Sequence, residues 1–186
     1  MLVTRERDKM FHALIYFTKN VQKPGKTKLF KLLNFLDFSH FEKTGRSVTG
    51  LEYSAWERGP VPTELYEEWK SPTPEFITHC YKEQVKAGSF TRQVLKPRHS
   101  FNEKFFSKYE LKLMKSLAKQ HFNDNADEMS ELSHFDTGCW AEVWNSGEGS
   151  GERIPYELVL LRRNNNADKA VMERHTEDLE IRNNYA

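Results

Sequence analysis

The stretch Thr27-Lys28-Leu29-Phe30-Lys31-Leu32-Leu33-Asn34-Phe35-Leu36-Asp37-Phe38-Ser39-His40-Phe41-Glu42-Lys43 decides the fold. Coiled as a helix, it places Leu29, Phe30, Leu32, Leu33, Phe35, Leu36, Phe38 and Phe41 around almost its whole circumference. A helix with so little polar face belongs at the centre of a bundle, because no side of it can be given to water. Gly45 follows as a natural stop, since glycine enters the left-handed conformation that ends helices without a Cβ clash. The stretch predicts a mainly α-helical domain built around a buried central helix.

Upstream, Met10, Phe11, Leu14, Ile15 and Phe17 predict a helix from about Glu6 to Lys19, ended by Lys23-Pro24-Gly25. Downstream the pattern changes at Ser47. Val48-Thr49-Gly50-Leu51 and Tyr53-Ser54-Ala55-Trp56 alternate β-branched and aromatic residues and predict a small β-hairpin or an irregular extended segment. Gly59, Pro60, Val61 and Pro62 then read as a stiff, extended turn, a structural motif, because each residue before a proline is pushed away from helical torsions. Short helices are predicted for Thr63–Trp69 and Glu75–Lys86, with a strand over Phe90–Lys96.

Ser107 with Glu110 has the spacing of a capping box and opens a helix towards Phe122. Asn125 with Glu128 opens another that ends near His134, and Trp140, Val143 and Trp144 form a further apolar face. Ser146 to Gly151 reads as a flexible linker. Pro155 starts a last short helix through Leu161. Residues 1–163 are expected to form one domain. Residues 164–186 are expected to be a polar tail, either disordered or a charged helix with few apolar anchors.

The composition narrows the function. The chain has 186 residues, of which 38% are hydrophobic, 30% charged and 13% aromatic. At this length about 70% of the unfolded surface can be buried, so a full core needs no staples. Lys and Arg number 28 against 27 Asp and Glu, a net charge of +1 that argues against a general polycation. The charge is nevertheless separated: residues 1–50 carry ten basic and four acidic side chains, and residues 101–150 carry five and nine. Such separation can orient a protein partner. Cys80 and Cys139 are the two cysteines, too few for a disulfide framework or a CxxC pair, which fits a reducing cytoplasm. No apolar run approaches the ~20 residues that span a bilayer, and Met1 to Asp8 lacks the order and cleavage site of a signal peptide. The expectation is a soluble, cytoplasmic protein without membrane contact.

Catalytic constellations are weak. His134, Asp136 and Cys139 lie close together, with Ser130 one helical turn earlier. No nucleophile elbow or glycine-rich oxyanion loop accompanies them, and Asp136 or Thr137 serves as well to cap the next helix. His121, His134 and Cys139 lack the short repeated spacing of a zinc module, and His12, His40, His79, His99 and His175 are scattered. No GxxxxGK[ST] or GxGxxG loop occurs. No enzyme activity, cofactor or metal is predicted. Lys23, Lys26, Lys28 and Lys31 could touch phosphates, but the helix they flank is too apolar to lie in a nucleic-acid groove. Tyr53, Trp56, Trp69, Trp140 and Trp144 read first as core, and some of them as a protein-binding surface.

Three stretches carry a resemblance. They are Lys28 to Phe38, then Gly50-Leu51-Glu52-Tyr53 leading to Gly59-Pro60-Val61-Pro62, then Leu132-Ser133-His134 followed by Trp140. In order and spacing, over roughly residues 5–162, the chain resembles the Panacea domain, the SocA-like antitoxin family also described as phage-associated and GepA-like. Asn34 stands where that pattern commonly has an aromatic. The resemblance implies a mostly helical domain with a small β element and no catalytic residue. It implies an antitoxin of a two-gene module that neutralises a cognate toxin by direct binding, or as an adaptor delivering it to a protease such as ClpXP. On this reading Tyr53, Trp56, His134 and Trp140 are the candidates for partner contact, together with the tail. His134 and Trp140 double as a structural pair. The alternative is a DNA-binding regulator of a prophage or mobile element.

Overall fold

The central helix, α2 (Lys26–Thr44), is buried along nearly its whole length in the computed structural model, which describes residues 5–87, 90–135, 138–161 and 166–185. Against it pack α1 (Glu6–Asn20), α5 (Lys108–Gln120), α6 (Ala126–Phe135) and α9 (Asn166–Tyr185). Leu29, Leu32, Leu33 and Leu36 of α2 share one core with Phe11, Leu14 and Phe17 of α1. Gly45 ends α2 at φ +75, as expected of a left-handed cap. It also admits α9, because a Cβ there would lie 2.6 Å from the Val171 carbonyl oxygen.

Two small antiparallel sheets complete the fold. The first is a hairpin of β1 (Tyr53–Trp56) and β2 (Gly59–Pro62), joined through Glu57 and Arg58. The small hairpin is therefore present, but with different strands. Val48–Leu51, expected either to pair with Tyr53–Trp56 or to run irregularly, forms an irregular loop closed on the side chain of Asp37. Gly59–Pro62, expected as a turn, is a strand. Prolines fit there because Ala55 and Tyr53, opposite Pro60 and Pro62, bond away from β2: the Ala55 amide donates to Glu152 O at 2.8 Å, and Tyr53 O accepts from Ile154 N at 2.7 Å. Pro60 and Pro62 thus occupy edge positions whose missing amides would face outward.

The second sheet is a ribbon of β3 (Cys80–Ala87) and β4 (Phe90–Pro97), preceded by the short helix α4 (Pro74–His79). The helix expected over Glu75–Lys86 stops at His79. Pairing with β4 from Cys80↔Pro97 outward overrides the helical preference of Lys82, Glu83 and Gln84. Between hairpin and ribbon lies α3 (Thr63–Lys70).

Both anticipated capping boxes form. Ser107 Oγ accepts from Glu110 N, and Glu110 Oε2 accepts from Ser107 N; Asn125 and Glu128 exchange the same pair at the start of α6. The glycine-rich 146–151 segment is not a loose linker. Gly149 donates to Trp144 O, Gly151 donates to Ala55 O, and a Cβ at Gly149 would lie 1.9 Å from the Val143 carbonyl oxygen. It wraps α7 (Cys139–Trp144) onto β1 before the single turn α8 (Leu158–Leu161). Asp136 and Thr137, the expected caps of α7, lie outside the described residues, and Gly138 occupies its N-cap.

The polar tail is helical over residues 166–185 and docks on its own chain. Val171 is buried, His175 contacts the Gly45 carbonyl at 3.1 Å, and Arg182 forms a two-pronged pair with Glu6 at 2.6 and 3.1 Å. The anchors are few, but each meets a matching group on α1 or at the end of α2. Among the described residues, no helix is long and apolar enough to cross a membrane.

Candidate functional site

Three polar side chains of α2 project into the core and grip loops. Lys28 is 1% exposed, and its Nζ donates to the carbonyls of Gln22, Phe122 and Asp124 at 3.0, 3.1 and 2.6 Å. Lys31, 2% exposed, donates to the carbonyls of Arg58 and Pro60 at 2.8 and 2.9 Å. Asp37 is fully buried. Its Oδ1 accepts from the amides of Val48 and Thr49 at 2.8 Å each, and its Oδ2 accepts from the Thr49 and Tyr53 hydroxyls. Backbone groups that would otherwise be orphaned in the interior are satisfied from a single helix.

Burial has an electrostatic cost. It pushes the Lys31 ammonium down to about 7, with the Arg58 charge adding to the effect. It pushes the Asp37 carboxyl up to about 6, against the pull of the hydrogen bonds from Thr49, Tyr53 and Val48. Lys28 and Lys31 are therefore not available to a phosphate backbone, although sequence position had grouped them with Lys23 and Lys26.

The hairpin rests on this helix. Gly59 has φ +97, and a Cβ there would lie 2.5 Å from both Lys31 Nζ and Ser133 Oγ, and 3.2 Å from His134 Cδ2. Only glycine fits, for backbone conformation and for space. His134 stacks on Trp140, with ring centroids 3.9 Å apart and planes at 12°. Trp140 Nε1 donates to the main-chain oxygen of Trp56 at 2.8 Å. Burial and the Lys31 charge push the His134 imidazole below its ordinary range, and its buried Nε2 has no hydrogen-bond partner among the described residues. The three separated sequence stretches thus converge on one joint between α2, the hairpin and α6–α7.

Of the four residues expected at a partner surface, Tyr53 does not reach it. Tyr53 is 1% exposed, its hydroxyl donates to Asp37 at 2.8 Å, and its ring packs edge-on against Phe38 and Tyr156. Trp140 is buried and His134 half-buried. Trp56 is half-buried, and its ring meets Tyr66 edge to face at 4.7 Å. Beside it opens a cavity of about 280 Å³ lined by Phe30, Trp56, Pro60, Val61 and Tyr66, with Lys26 and Arg58 adjoining. Lys26 and Lys70 lie 4.6 and 4.2 Å from the Tyr66 ring centroid. Tyr66 and Val61 carry no sequence signal of this role; they become neighbours of Trp56 only once the hairpin turns α3 back onto α2.

The other sequence candidates disperse. Ser130 Oγ donates to the Ala126 carbonyl, Cys139 is buried, and Asp136 lies outside the described residues. His121 pairs with Asp124 at 2.8 Å and stacks on Phe35, apart from His134. Conversely His12, His79 and His99, scattered in the sequence, meet.

These features define a mainly α-helical domain whose central helix holds a β-hairpin through buried polar contacts. Residues 29–141 match the family model described as antitoxin SocA-like, Panacea domain. The match covers more than half of the chain, which belongs to the SocA-like antitoxin family. No curated protein and no solved structure matched it.

Proposed function

We propose that this protein is the antitoxin of a two-gene module and neutralises its toxin by direct binding at the hairpin surface, without catalysis of its own. The observation that carries this reading is the aromatic cavity beside Trp56, placed on the elements that the family pattern spans. A half-buried Trp and Tyr around an apolar recess, with cationic groups at the edge, is the composition of an interface centre. The toxin contributes an apolar or aromatic side chain to the recess, while His134 and Trp140 hold the hairpin in place from behind.

Expression of the neighbouring gene alone is expected to arrest growth, and co-expression with this chain is expected to restore it. Trp56→Ala is expected to abolish the rescue while leaving the fold intact, because the bond to Trp140 is made by the Trp56 main chain. Rescue in cells lacking ClpXP separates occlusion, in which it persists, from adaptor delivery, in which it fails. Persistent arrest on co-expression of the wild type, with no complex recovered, contradicts the reading.

A further inference from the structure

Three histidines far apart in the sequence meet in the fold. His12 lies on α1, His79 ends α4, and His99 follows β4. One ring nitrogen of each lies within 4.8 Å of the other two. Aromatic neighbours set the ring planes: His79 stacks on Phe11 at 4.3 Å between centroids, and His12 on Phe105 at 4.6 Å. His79 Nδ1 and His99 Nε2 are 2.7 Å apart and share a proton. His99 Nδ1 faces the Ser100 carbonyl at 3.2 Å, a contact that only an N–H can make. Nε2 is therefore the lone-pair nitrogen of His99, and His79 Nδ1 is the donor.

We propose that His12, His79 and His99 form a binding site for a divalent transition-metal ion of the zinc type. Three imidazoles are a donor set suited to such ions, and three protein ligands leave one tetrahedral position open. Zinc–nitrogen bonds of about 2.0–2.1 Å place ligand atoms about 3.4 Å apart. The closest pair of nitrogens must open and the wider ones draw in, by about an ångström or less in the side chains. On binding, the proton between His79 and His99 moves to His79 Nε2, and one N–H···N bond is exchanged for two metal–nitrogen bonds. The Nδ1–H of His99, held by the Ser100 carbonyl, is the outer contact that orients a metal-bound imidazole.

The surroundings favour a cation. Asp8, one helical turn before His12, acts electrostatically on both His12 and His79. Arg7, which opposes it at His79, is itself held by Glu68 and Glu75 at 2.9 and 2.7 Å. One contact opposes binding: the Asn102 amide donates to His12 Nδ1 at 3.2 Å, and must give way if His12 ligates through Nε2 and carries its proton on Nδ1. An ion here ties α1 to α4 and to the base of the ribbon, independently of toxin binding.

The test is calorimetric titration of the full chain, first stripped with EDTA, with zinc chloride. We expect saturable binding of one equivalent and a rise in melting temperature with zinc. His99→Ala is the first variant, because His99 is partly exposed and its ring bonds are confined to His79 and Ser100. It is expected to bind zinc at least about tenfold more weakly and to lose the zinc-dependent rise, each protein being compared with its own metal-free melt. His79→Ala provides a second variant with the same expected loss. Absence of saturable binding by the wild type, or wild-type affinity in both variants, overturns the proposal.

Discussion

Replacing Asp37 with leucine is expected to lower the stability of the protein by about 4 kcal/mol, because four buried donors lose their acceptor at once. In a chain of this size that corresponds to roughly 10–15 °C in melting temperature. Asp37→Asn is expected to behave quite differently. Oδ1 receives two backbone amides, which can only donate, whereas Oδ2 receives the hydroxyls of Thr49 and Tyr53. A hydroxyl can turn round and accept. An asparagine that keeps its oxygen towards Val48 and Thr49 and its amide towards the hydroxyls satisfies all four groups. The Asn variant should also remove a pH dependence. The folded Asp37 carboxyl lies above its unfolded range of about 4, pushed up to about 6 by burial. Its contribution to stability is therefore full below about pH 4 and is lost as pH rises through about 6. Denaturant melts of wild type and Asp37→Asn from pH 4 to 7 should diverge in favour of the variant, by an amount on the order of 3 kcal/mol. Lys31, pushed down to about 7, acts in the opposite sense, contributing above about pH 10.5 and losing that contribution as pH falls through 7. It is common to both proteins and cancels in the difference.

Gly59→Ala carries the second large effect. An alanine at φ +97 bears backbone strain of about 1–3 kcal/mol, and its Cβ would occupy the space of Lys31 Nζ and Ser133 Oγ. Either Lys31 withdraws, leaving the Arg58 and Pro60 carbonyls unpaired, or the hairpin lifts from α2. We expect a total loss of about 3–4 kcal/mol together with loss of toxin neutralisation. Glu57→Ala, two residues away in the exposed hairpin loop, should stay within about 0.5 kcal/mol of the wild type. Comparable melts for Gly59→Ala and Glu57→Ala would show that the hairpin is not held as described.

The central helix was legible in the sequence because an apolar run from Leu29 to Phe41 admits one placement. Its polar grip was not legible. Lys28, Lys31 and Asp37 bind mostly main-chain groups of distant loops, and main-chain partners leave no mark in a sequence. Lysines beside an apolar run look like a solvated rim until the loops that cover them are known. Gly59–Pro62 reads as a turn because each residue before a proline is pushed away from helical torsions; only the direction of the opposing bonds of Tyr53 and Ala55 makes the prolines admissible in a strand. Tyr53 is a contact candidate as an aromatic of the kind interfaces favour, and its residue type does not reveal that its hydroxyl bonds the buried Asp37. Likewise His12, His79 and His99 meet only because α4 stops at His79 and the ribbon brings His99 back beside α1.

The central claim is that the hairpin surface around Trp56 binds the toxin directly. Calorimetric titration of the purified chain with the toxin encoded beside it tests that claim with no other component present. The account predicts saturable binding by the wild type, weakened about 30-fold or more by Trp56→Ala, with the variant still melting cooperatively and only a few degrees lower for the lost Tyr66 contact. Absence of a complex with the wild type, or a Trp56→Ala protein that binds as tightly as the wild type, would contradict it.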